Sequence, residues 1–196
     1  MTHGKASGRG ETDAPRERRR PRPLDPAKLE ELAIAYVARF ATSAAKLERY
    51  LVRKLRERGW EGEREPDLVA LVGRYVELGY IDDAAYARAK GGSLLRRGYG
   101  PRRVRQALAE AGIDEATRAE ARAGAAAERH AALALARKRK LGPFGPEPAD
   151  RQQREEQLAA MLRAGHPLDS AREMVDAASE AAAEEWAAAD DDDEES

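Results

Sequence analysis

The sequence predicts an all-α protein made of tandem three-helix repeats that form an elongated, curved array with disordered charged tails. Only 5% of its 196 residues are aromatic, which argues against one large sandwich or barrel core. Alanine, arginine, glutamate and leucine dominate, and these residues favour helices. Two series of residues recur at an interval of 53: Leu55, Leu108, Met161 and Gly59, Gly112, Gly165. Units of about 50 residues bury little core alone, so neighbouring repeats must pack together.

The first repeat covers residues 25–80. Apolar residues spaced three and four apart predict three helices in it. Capping residues and glycines set the limits of these helices. The predicted starts are Asp25-Pro26, Thr42 or Ser43, and Pro66-Asp67, and the predicted ends are Phe40, Gly59 and Gly79.

The second repeat covers residues 81–141. Its predicted helices run from Asp82 or Asp83 to Arg97, from Gly100-Pro101 to Gly112, and from Asp114 to Leu141. Proline suits the first position of a helix, which supports the second of these starts. Gly91 and Gly92 fall inside the first helix and weaken it. We therefore expect either a kink there or the close approach of another segment.

A linker rich in proline and glycine, residues 142–149, precedes the third repeat at 150–186. One helix is predicted from Asp150 to Ala164. Ser170 and Glu173 have the spacing of a capping box at the start of a last helix. Large apolar residues are few in this part of the chain, so we expect the third repeat to be incomplete or loosely packed.

Both ends of the chain are strongly charged. Residues 1–24 carry seven basic and three acidic side chains, whereas residues 176–196 carry ten acidic side chains and no basic one. Runs of like charge cannot bury a core and are typical of solvated tails. We predict that residues 1–24 form a disordered basic tail and residues 187–196 a disordered acidic tail.

Several classes of function are excluded by composition and motif. The chain has no cysteine, which removes disulfide scaffolds, thiol nucleophiles and cysteine-ligated metals. His130 and His166 lack companions at ligand or nucleophile spacing, so we expect solvent-facing or capping roles for both. The adjacent Asp82 and Asp83 fit a helix cap better than an acid/base pair. We therefore expect no enzyme activity, catalytic residue, metal or cofactor.

No targeting feature is evident in the sequence. No apolar run reaches the length of a membrane span, and no apolar signal segment precedes residue 25. These features predict a cytoplasmic protein, which we expect to be a monomer without membrane contact.

One segment of the chain carries only positively charged side chains. No acidic residue occurs from Ala84 to Ala109, and helix N-terminal amides at Gly100 add to a field that suits phosphate or carboxylate. A merely solvated helix surface is the alternative, but the local imbalance favours binding. The candidate partner- or DNA-binding residues are Arg88, Lys90, Arg96, Arg97, Arg102, Arg103 and Arg105, extended in the first repeat by Lys46, Arg49 and Arg53.

Two motifs resemble those of a known family. The first is Leu78-Gly79-Tyr80-Ile81-Asp82-Asp83-x-x-Tyr86-Ala87, and the second is Arg97-Gly98-Tyr99-Gly100-Pro101-Arg102-Arg103-Val104-x3-Leu108-x3-Gly112-Ile113. Together they resemble the bacterial RecX regulatory family, with a dense match from about Leu47 to Asp114. The residues assigned to the structural signature are Gly59, Gly79, Tyr80, Asp82, Asp83, Tyr86, Gly98, Gly100, Leu108 and Gly112.

The resemblance implies a function as well as tandem three-helix repeats. Proteins of this family bind the RecA recombinase filament on DNA and restrain its growth, ATP hydrolysis and strand exchange. The implied partners are therefore RecA, single-stranded DNA and, as a further option, double-stranded DNA. The matching basic positions are Arg97, Arg102, Arg103 and Arg105.

Two other readings stay open. The chain could be a stand-alone DNA-binding module of helix-turn-helix type, with residues 98–112 as the recognition helix. It could also be a non-catalytic helical scaffold whose charges only solvate it. Sequence-selective duplex binding without RecA would favour the first, and the absence of any nucleic-acid binding would favour the second.

Overall fold

The computed structural model describes residues 22–189, which fold into ten α-helices and one short 3₁₀-helix. The α-helices are α1 Pro26–Arg39, α2 Ala44–Arg58, α3 Leu68–Glu77, α4 Asp83–Arg96, α5 Pro101–Glu110, α6 Glu115–Glu120, α7 Ala125–Arg139, α8 Arg151–Arg163, α9 Leu168–Val175 and α10 Glu180–Ala188; the 3₁₀-helix is Gly142–Phe144. Within the described range the one β-type pairing is an isolated bridge between Leu24 and Trp60. The predicted all-α class is confirmed.

Aspartate and serine caps define most of the helix starts. The Asp25 side chain accepts a hydrogen bond from the Lys28 amide at 2.8 Å, and Asp82 accepts one from Ala85 at 2.7 Å. Of the two cap candidates for α2, Ser43 is the N-cap. The predicted capping box at Ser170 is wrong, because α9 begins earlier, directly after Pro167, and Ser170 lies inside the helix.

Buried apolar residues form three clusters, one for each group of helices. The first cluster joins α1, α2 and α3 and includes Leu47, Leu51 and Val72. The second lies in α4, α5 and the turn before α6, with Ala87 and Leu108 at its centre. The third joins α7, α8, α9 and α10. The described helices thus fall into three groups, each centred on its own second helix: α2, α5 or α8.

The structure corrects the predicted limits of the second and third repeats. The long helix expected from Asp114 to Leu141 is two helices, because the chain turns at residues 121–124 and Gly124 caps α7. Helix α7 then packs mainly with the third group, as its first helix. The alanine-rich α7 lets neighbouring helices approach closely, so a core forms without many large side chains.

The expectation of an incomplete or loosely packed third repeat is therefore wrong. Among the described residues, the cluster of α7–α10 contains twelve buried members, against eight in the first and four in the second. Met161 and Met174 at its centre are fully buried. The third group also has a fourth helix, α10, which the sequence did not predict.

The predicted disordered tails fall mostly on residues 1–21 and 190–196, which lie outside the described residues. Where the predictions overlap the described range, they are wrong. Leu24 is fully buried in the first cluster, and its amide donates to the Gly59 carbonyl at 3.0 Å. Ala187 is fully buried in the third. Apolar contact with a helical core therefore extends to both margins of the described chain.

The same type of joint connects each group of helices to the next. The turn that ends α5 packs against the start of α2: Ser43 Oγ donates to the Ala111 carbonyl at 2.6 Å, and a methyl group on Gly112 would lie 2.3 Å from Ala45 Cβ. The turn that ends α8 packs against the start of α5 in the same way, with the Gly100 amide donating to the Ala164 carbonyl at 2.9 Å. Ala111 and Ala164 are themselves 53 residues apart.

Two of the three glycines spaced 53 residues apart, Gly112 and Gly165, belong to these joints. Gly59, Gly112 and Gly165 all have positive φ and follow α2, α5 and α8. A methyl group on Gly112 or Gly165 would meet the preceding helix group, whereas one on Gly59 would meet nothing within 4 Å. Helix α4 runs through Gly91 and Gly92 without a break, and the nearest side chain to a methyl on Gly91 would be Val104 at 3.4 Å.

Candidate nucleic-acid and partner interface

The basic segment forms an exposed surface on α4, α5 and the loop between them. All seven of its predicted binding residues are exposed: Arg88, Lys90, Arg96, Arg97, Arg102, Arg103 and Arg105. Within residues 22–189 none of the seven makes an ion pair. Arg97 stacks over the Tyr99 ring at 5.3 Å. This surface therefore offers cationic donors that no described carboxylate neutralises.

Helix α5 divides its arginines between two sides. Arg102 and Arg105 line a cleft of about 350 Å³ between α5, α6 and the start of α7, here called the α5–α7 cleft. Arg103 lies on the other side of α5, where its guanidinium donates to Gln106 at 2.9 Å. The helix can therefore present positive charge in two directions.

Apolar and charged side chains line the α5–α7 cleft. The apolar ones include Val104, Leu108 and Pro167. Arg118 and Arg122 also line it, and each is paired with a carboxylate, Glu115 and Glu128 respectively. The sequence did not predict a binding role for Arg118 and Arg122, because glutamates interrupt the purely basic segment beyond Ala109. The packing of α6 and α7 beside α5 brings these arginines to the cleft.

The start of α5 is held by backbone contacts from the third group of helices. The Arg102 amide donates to the Gly165 carbonyl at 3.1 Å, in addition to the bond that the Gly100 amide makes. A methyl group on Gly165 would lie 2.5 Å from the Arg103 amide nitrogen. The backbone beneath Arg102 and Arg103 is therefore fixed before any partner binds.

His166 completes this joint, which contradicts the prediction that it faces solvent or caps a helix. Its side chain is fully buried, and Nε2 lies 3.0 Å from the Gly98 carbonyl, so Nε2 carries the proton and donates. Burial lowers the pKa of the His166 imidazole, which favours the neutral form. His130, by contrast, is exposed on α7.

The candidate residues of the first repeat have additional partners within the chain. Lys46 Nζ lies 3.1 Å from the Tyr86 hydroxyl, and Arg49 donates to the Glu110 carbonyl at 3.0 Å. Both contacts cross from α2 to the second group of helices. Arg53 pairs with Glu57 along α2 at 3.5 Å. Lys46 and Arg49 thus contribute to a joint, a role that the sequence did not predict.

The motif residues lie in caps, turns and joints. Asp82 caps α4, and Asp83 accepts a hydrogen bond from the Ala44 amide at 2.9 Å across the first joint. Gly79 and Gly98 end helices with positive φ, and Leu108 is buried. Tyr80 differs from the others, because 63% of it is exposed and its ring lies 5.8 Å from that of Tyr75.

Two negative findings apply to the described residues alone. Between residues 22 and 189 no group of three or more histidine or carboxylate side chains could hold a metal ion. In the same range no helix has both the length and the apolar character to cross a membrane.

Comparison with known proteins identifies relatives over most of the chain. A family model described as "RecX, second three-helix domain" matches residues 82–121, the span of α4, α5 and α6. The regulatory protein RecX of Myxococcus xanthus is 35% identical over 180 residues, which cover 86% of this chain and 96% of that protein. The regulatory protein RecX of Thermus thermophilus is 40% identical over 83 residues, covering 42% of this chain and 55% of that one.

Solved structures support the same fold. A crystal structure of RecX from Lactobacillus salivarius is similar, with a TM-score of 0.62, 18% identity, and coverage of 76% of this chain and 94% of that one. A second crystal structure, of a regulatory protein RecX, has a TM-score of 0.58 at 21% identity and covers 76% and 70% of the two chains. At these identities the likeness concerns the arrangement of helices.

Proposed function

The chain belongs to the RecX family of regulatory proteins, and from that premise we propose that it binds the filament that the RecA recombinase forms on DNA. In this proposal it restrains filament growth, ATP hydrolysis and strand exchange during recombination and DNA repair. It acts through binding energy and not as an enzyme. Its place of action is the cytoplasm, and it works as a monomer.

The unneutralised basic surface of α4 and α5 is the observation that carries the proposal. Seven exposed cationic side chains lie in a segment with no acidic residue, and none of them pairs with a carboxylate among the described residues. Phosphate groups and protein carboxylates are the partners that such donors bind most strongly. A DNA-containing filament presents phosphate along its whole length.

The joints between the helix groups support a binding mode that spans several subunits. An array of linked helix groups presents a longer surface than one compact domain of the same size. Each group connects to the next through buried hydrogen bonds, including the 2.6 Å bond from Ser43 Oγ to the Ala111 carbonyl. A ligand that contacts several subunits in one filament state favours that state over the others. Restraint of filament dynamics follows from such preferential binding.

A filament-binding assay tests the proposal. RecA would be assembled on a single-stranded oligonucleotide, and the bound fraction of this protein would be measured by sedimentation at two salt concentrations. The double variant Arg102→Glu with Arg103→Glu should weaken binding at least tenfold, on the scale of about 1.4 kcal/mol per factor of ten. The matched control is Lys138→Glu with Arg139→Glu. It lowers the net charge of the protein by the same amount, but the two residues lie at the C-terminal end of α7.

The outcomes separate the alternatives. Loss of binding in the α5 variant, with the control close to the wild type, supports the proposal. Equal binding by all three proteins would contradict it. Sequence-selective binding to a duplex without RecA would favour the helix-turn-helix reading instead.

A further inference from the structure

Three aromatic side chains on the first group of helices have no role in the function proposed above. The rings of Tyr36 in α1 and Tyr50 in α2 are stacked, with centroids 4.3 Å apart and 22° between their planes. The ring of Phe40 follows at 5.2 Å from that of Tyr36, with 51° between the planes. The three rings thus form one continuous series, here called the aromatic platform.

Phe40 is the outermost ring of the aromatic platform. Tyr36 and Tyr50 pack against the first buried cluster, whereas Phe40 lies outside that cluster and is 50% exposed. It is the C-cap of α1, where the backbone has left the helix for an extended conformation. A purely structural role would favour burial of this ring, because burial is how a phenylalanine stabilises a fold. Phe40 instead presents a ring to solvent, supported by two rings beneath it.

Three cationic side chains surround the aromatic platform. The guanidinium carbon of Arg39 lies 5.6 Å from the centroid of the Phe40 ring. The cationic groups of Arg53 and Lys54 lie 5.5 and 5.8 Å from the centroid of the Tyr50 ring. Cations at such distances are attracted to ring faces. They also place donors for phosphate next to the rings.

These cations outnumber the carboxylates that pair with them. Glu57 pairs with both Arg53 and Lys54, at 3.5 and 2.6 Å. Arg39 is exposed and has no ion pair within residues 22–189. Three cations and one carboxylate leave a net positive charge beside the platform.

Single-stranded nucleic acid is the ligand whose chemistry matches this combination. Proteins that bind single strands combine positive charge along the backbone with aromatic side chains on which unstacked bases lie. A duplex keeps its base faces covered by neighbouring base pairs, so it could not use the ring of Phe40. A carboxylate of a protein partner could pair with Arg39 but would leave that ring without a partner.

The aromatic platform is connected to the basic surface of α4 across the first joint. Lys46 lies one helical turn before Tyr50 on α2, and its Nζ atom is 5.3 Å from the centroid of the Tyr86 ring on α4. Lys90, an exposed member of the basic surface, lies one turn after Tyr86. Aromatic and cationic side chains therefore alternate from the platform to α4.

We propose that the aromatic platform binds an unstacked base of single-stranded DNA. In this arrangement Phe40 stacks on the base and Arg39 contacts an adjacent phosphate. The site belongs to the first group of helices and needs no RecA. It therefore goes beyond the filament contact assigned to α4 and α5.

The NMR signals of the two phenylalanine rings test the site in the full chain. The protein contains only two phenylalanines, Phe40 and Phe144, so specific labelling gives two ring systems. Stacking of a base should move the Phe40 ring signals upfield when a short oligothymidine is added at low salt. Phe144 is the internal control: Arg137 lies over its ring at 5.7 Å, but the ring packs against the third cluster.

An abasic oligonucleotide of the same length is the matched ligand control. It carries the same phosphate charge but has no base to stack. It should bind through the cations and leave the Phe40 ring signals close to their free positions. Equal Phe40 shifts with the abasic and the oligothymidine strands would overturn the proposal.

Affinity for oligothymidine without RecA provides the second measurement. Phe40→Ala should weaken binding about tenfold, equivalent to about 1.4 kcal/mol, because the stacking surface is lost. Phe40→Trp, which keeps a stacking surface, should bind at least as tightly as the wild type. The control is Ile34→Ala on the same helix, where the side chain is 52% exposed and apolar; it should leave the affinity unchanged.

The salt dependence separates the two parts of the site. Arg39→Gln should make the slope of log affinity against log salt less steep by about 0.7, the value for one phosphate of a single strand. Phe40→Ala should lower the affinity at an unchanged slope, because stacking releases no counterions.

Each remaining outcome decides the proposal. Equal affinity of the wild type and Phe40→Ala, or no binding of oligothymidine by the wild type, would contradict it. Tighter binding of oligouridine than of oligothymidine would assign the platform to RNA instead. Any of these failures leaves the filament assay unaffected, because that assay compares variants at Arg102 and Arg103 on α5.

Discussion

Gly100 and Gly165 meet backbone to backbone: a methyl group on Gly100 would lie 2.4 Å from the carbonyl carbon of Gly165. The first residue caps α5, which carries three of the candidate binding arginines, and the second ends α8. Their contact joins the second and third groups of helices. The position of the basic surface therefore depends on two residues that have no side chains.

Gly100→Ala should destabilise the protein, because the added methyl group has no space in this joint. Overpacking of this kind costs about 1–3 kcal/mol, measured as the free energy of unfolding in urea. The matched control is Gly73→Ala in α3, where a methyl group would meet nothing within 4 Å. That substitution should stabilise the helix by roughly 0.5–1 kcal/mol. An equal effect of the two substitutions would refute the close packing at Gly100.

Gly79 and Gly112 provide a second matched pair. Their φ values are +74° and +80°, and each lies in the same pattern of turn hydrogen bonds, so alanine is strained to a similar degree at both positions. A methyl on Gly112 would also lie 2.3 Å from Ala45 Cβ, whereas one on Gly79 would meet open space. Gly79→Ala should cost about 1–2 kcal/mol from the backbone alone. Gly112→Ala should cost at least about 1 kcal/mol more from overpacking, again by urea unfolding. Similar losses of unfolding free energy in both variants would mean that the two helix groups can move apart at this joint without cost.

The hydroxyl of Ser43 has two roles and should be costly to remove. It caps α2 and donates to the buried Ala111 carbonyl at 2.6 Å. Loss of a cap costs about 1 kcal/mol, and an unpaired buried carbonyl adds about 1–3 kcal/mol. Ser43→Ala should therefore destabilise the protein by about 2–4 kcal/mol. Ser179→Ala, which removes a cap alone, should cost only about 1 kcal/mol in the same assay.

His166 should make stability depend on pH above the range in which carboxylates titrate. Burial lowers the pKa of His166 below its ordinary value of 6.5. The unfolded chain therefore takes up a proton near pH 6 that the folded chain resists, and the free energy of unfolding falls as the pH drops below 6.5. The effect is measured by urea unfolding between pH 7.5 and about 5, above the ordinary pKa of aspartate.

A glutamine substitution isolates this contribution. His166→Gln keeps an N–H donor for the Gly98 carbonyl but cannot titrate. Its unfolding free energy should vary less with pH than that of the wild type. The control is His130→Gln, on the exposed surface of α7. A wild-type slope retained in His166→Gln would show that other groups cause the pH dependence.

The sequence predicted the architecture of the first two groups of helices better than that of the third. The 53-residue interval and the caps at Asp25, Asp82 and Asp114 predicted helix limits that the structure confirms. The break before α7 was missed because residues 121–124 contain helix-favouring alanines and only one glycine. The core of the third group was also difficult to predict from sequence, because its many alanines pack well without forming a clear stripe of large apolar residues.

The contacts that position the interface could not be predicted from local patterns. Gly98 and His166 are 68 residues apart in the chain, as are Ser43 and Ala111. Neither pair has a spacing that helical periodicity would reveal. The cleft arginines Arg118 and Arg122 were missed for a similar reason: they belong to a segment with mixed charge. Their proximity to α5 depends on tertiary packing alone.

ATP hydrolysis by RecA tests the central proposal most directly. RecA from the same source would hydrolyse ATP on single-stranded DNA while this protein is titrated in, at two salt concentrations. We predict suppression at substoichiometric amounts, reduced at the higher salt and in the variant Arg102→Glu with Arg103→Glu, but retained in Lys138→Glu with Arg139→Glu. Unchanged hydrolysis at stoichiometric amounts of folded protein would contradict the account.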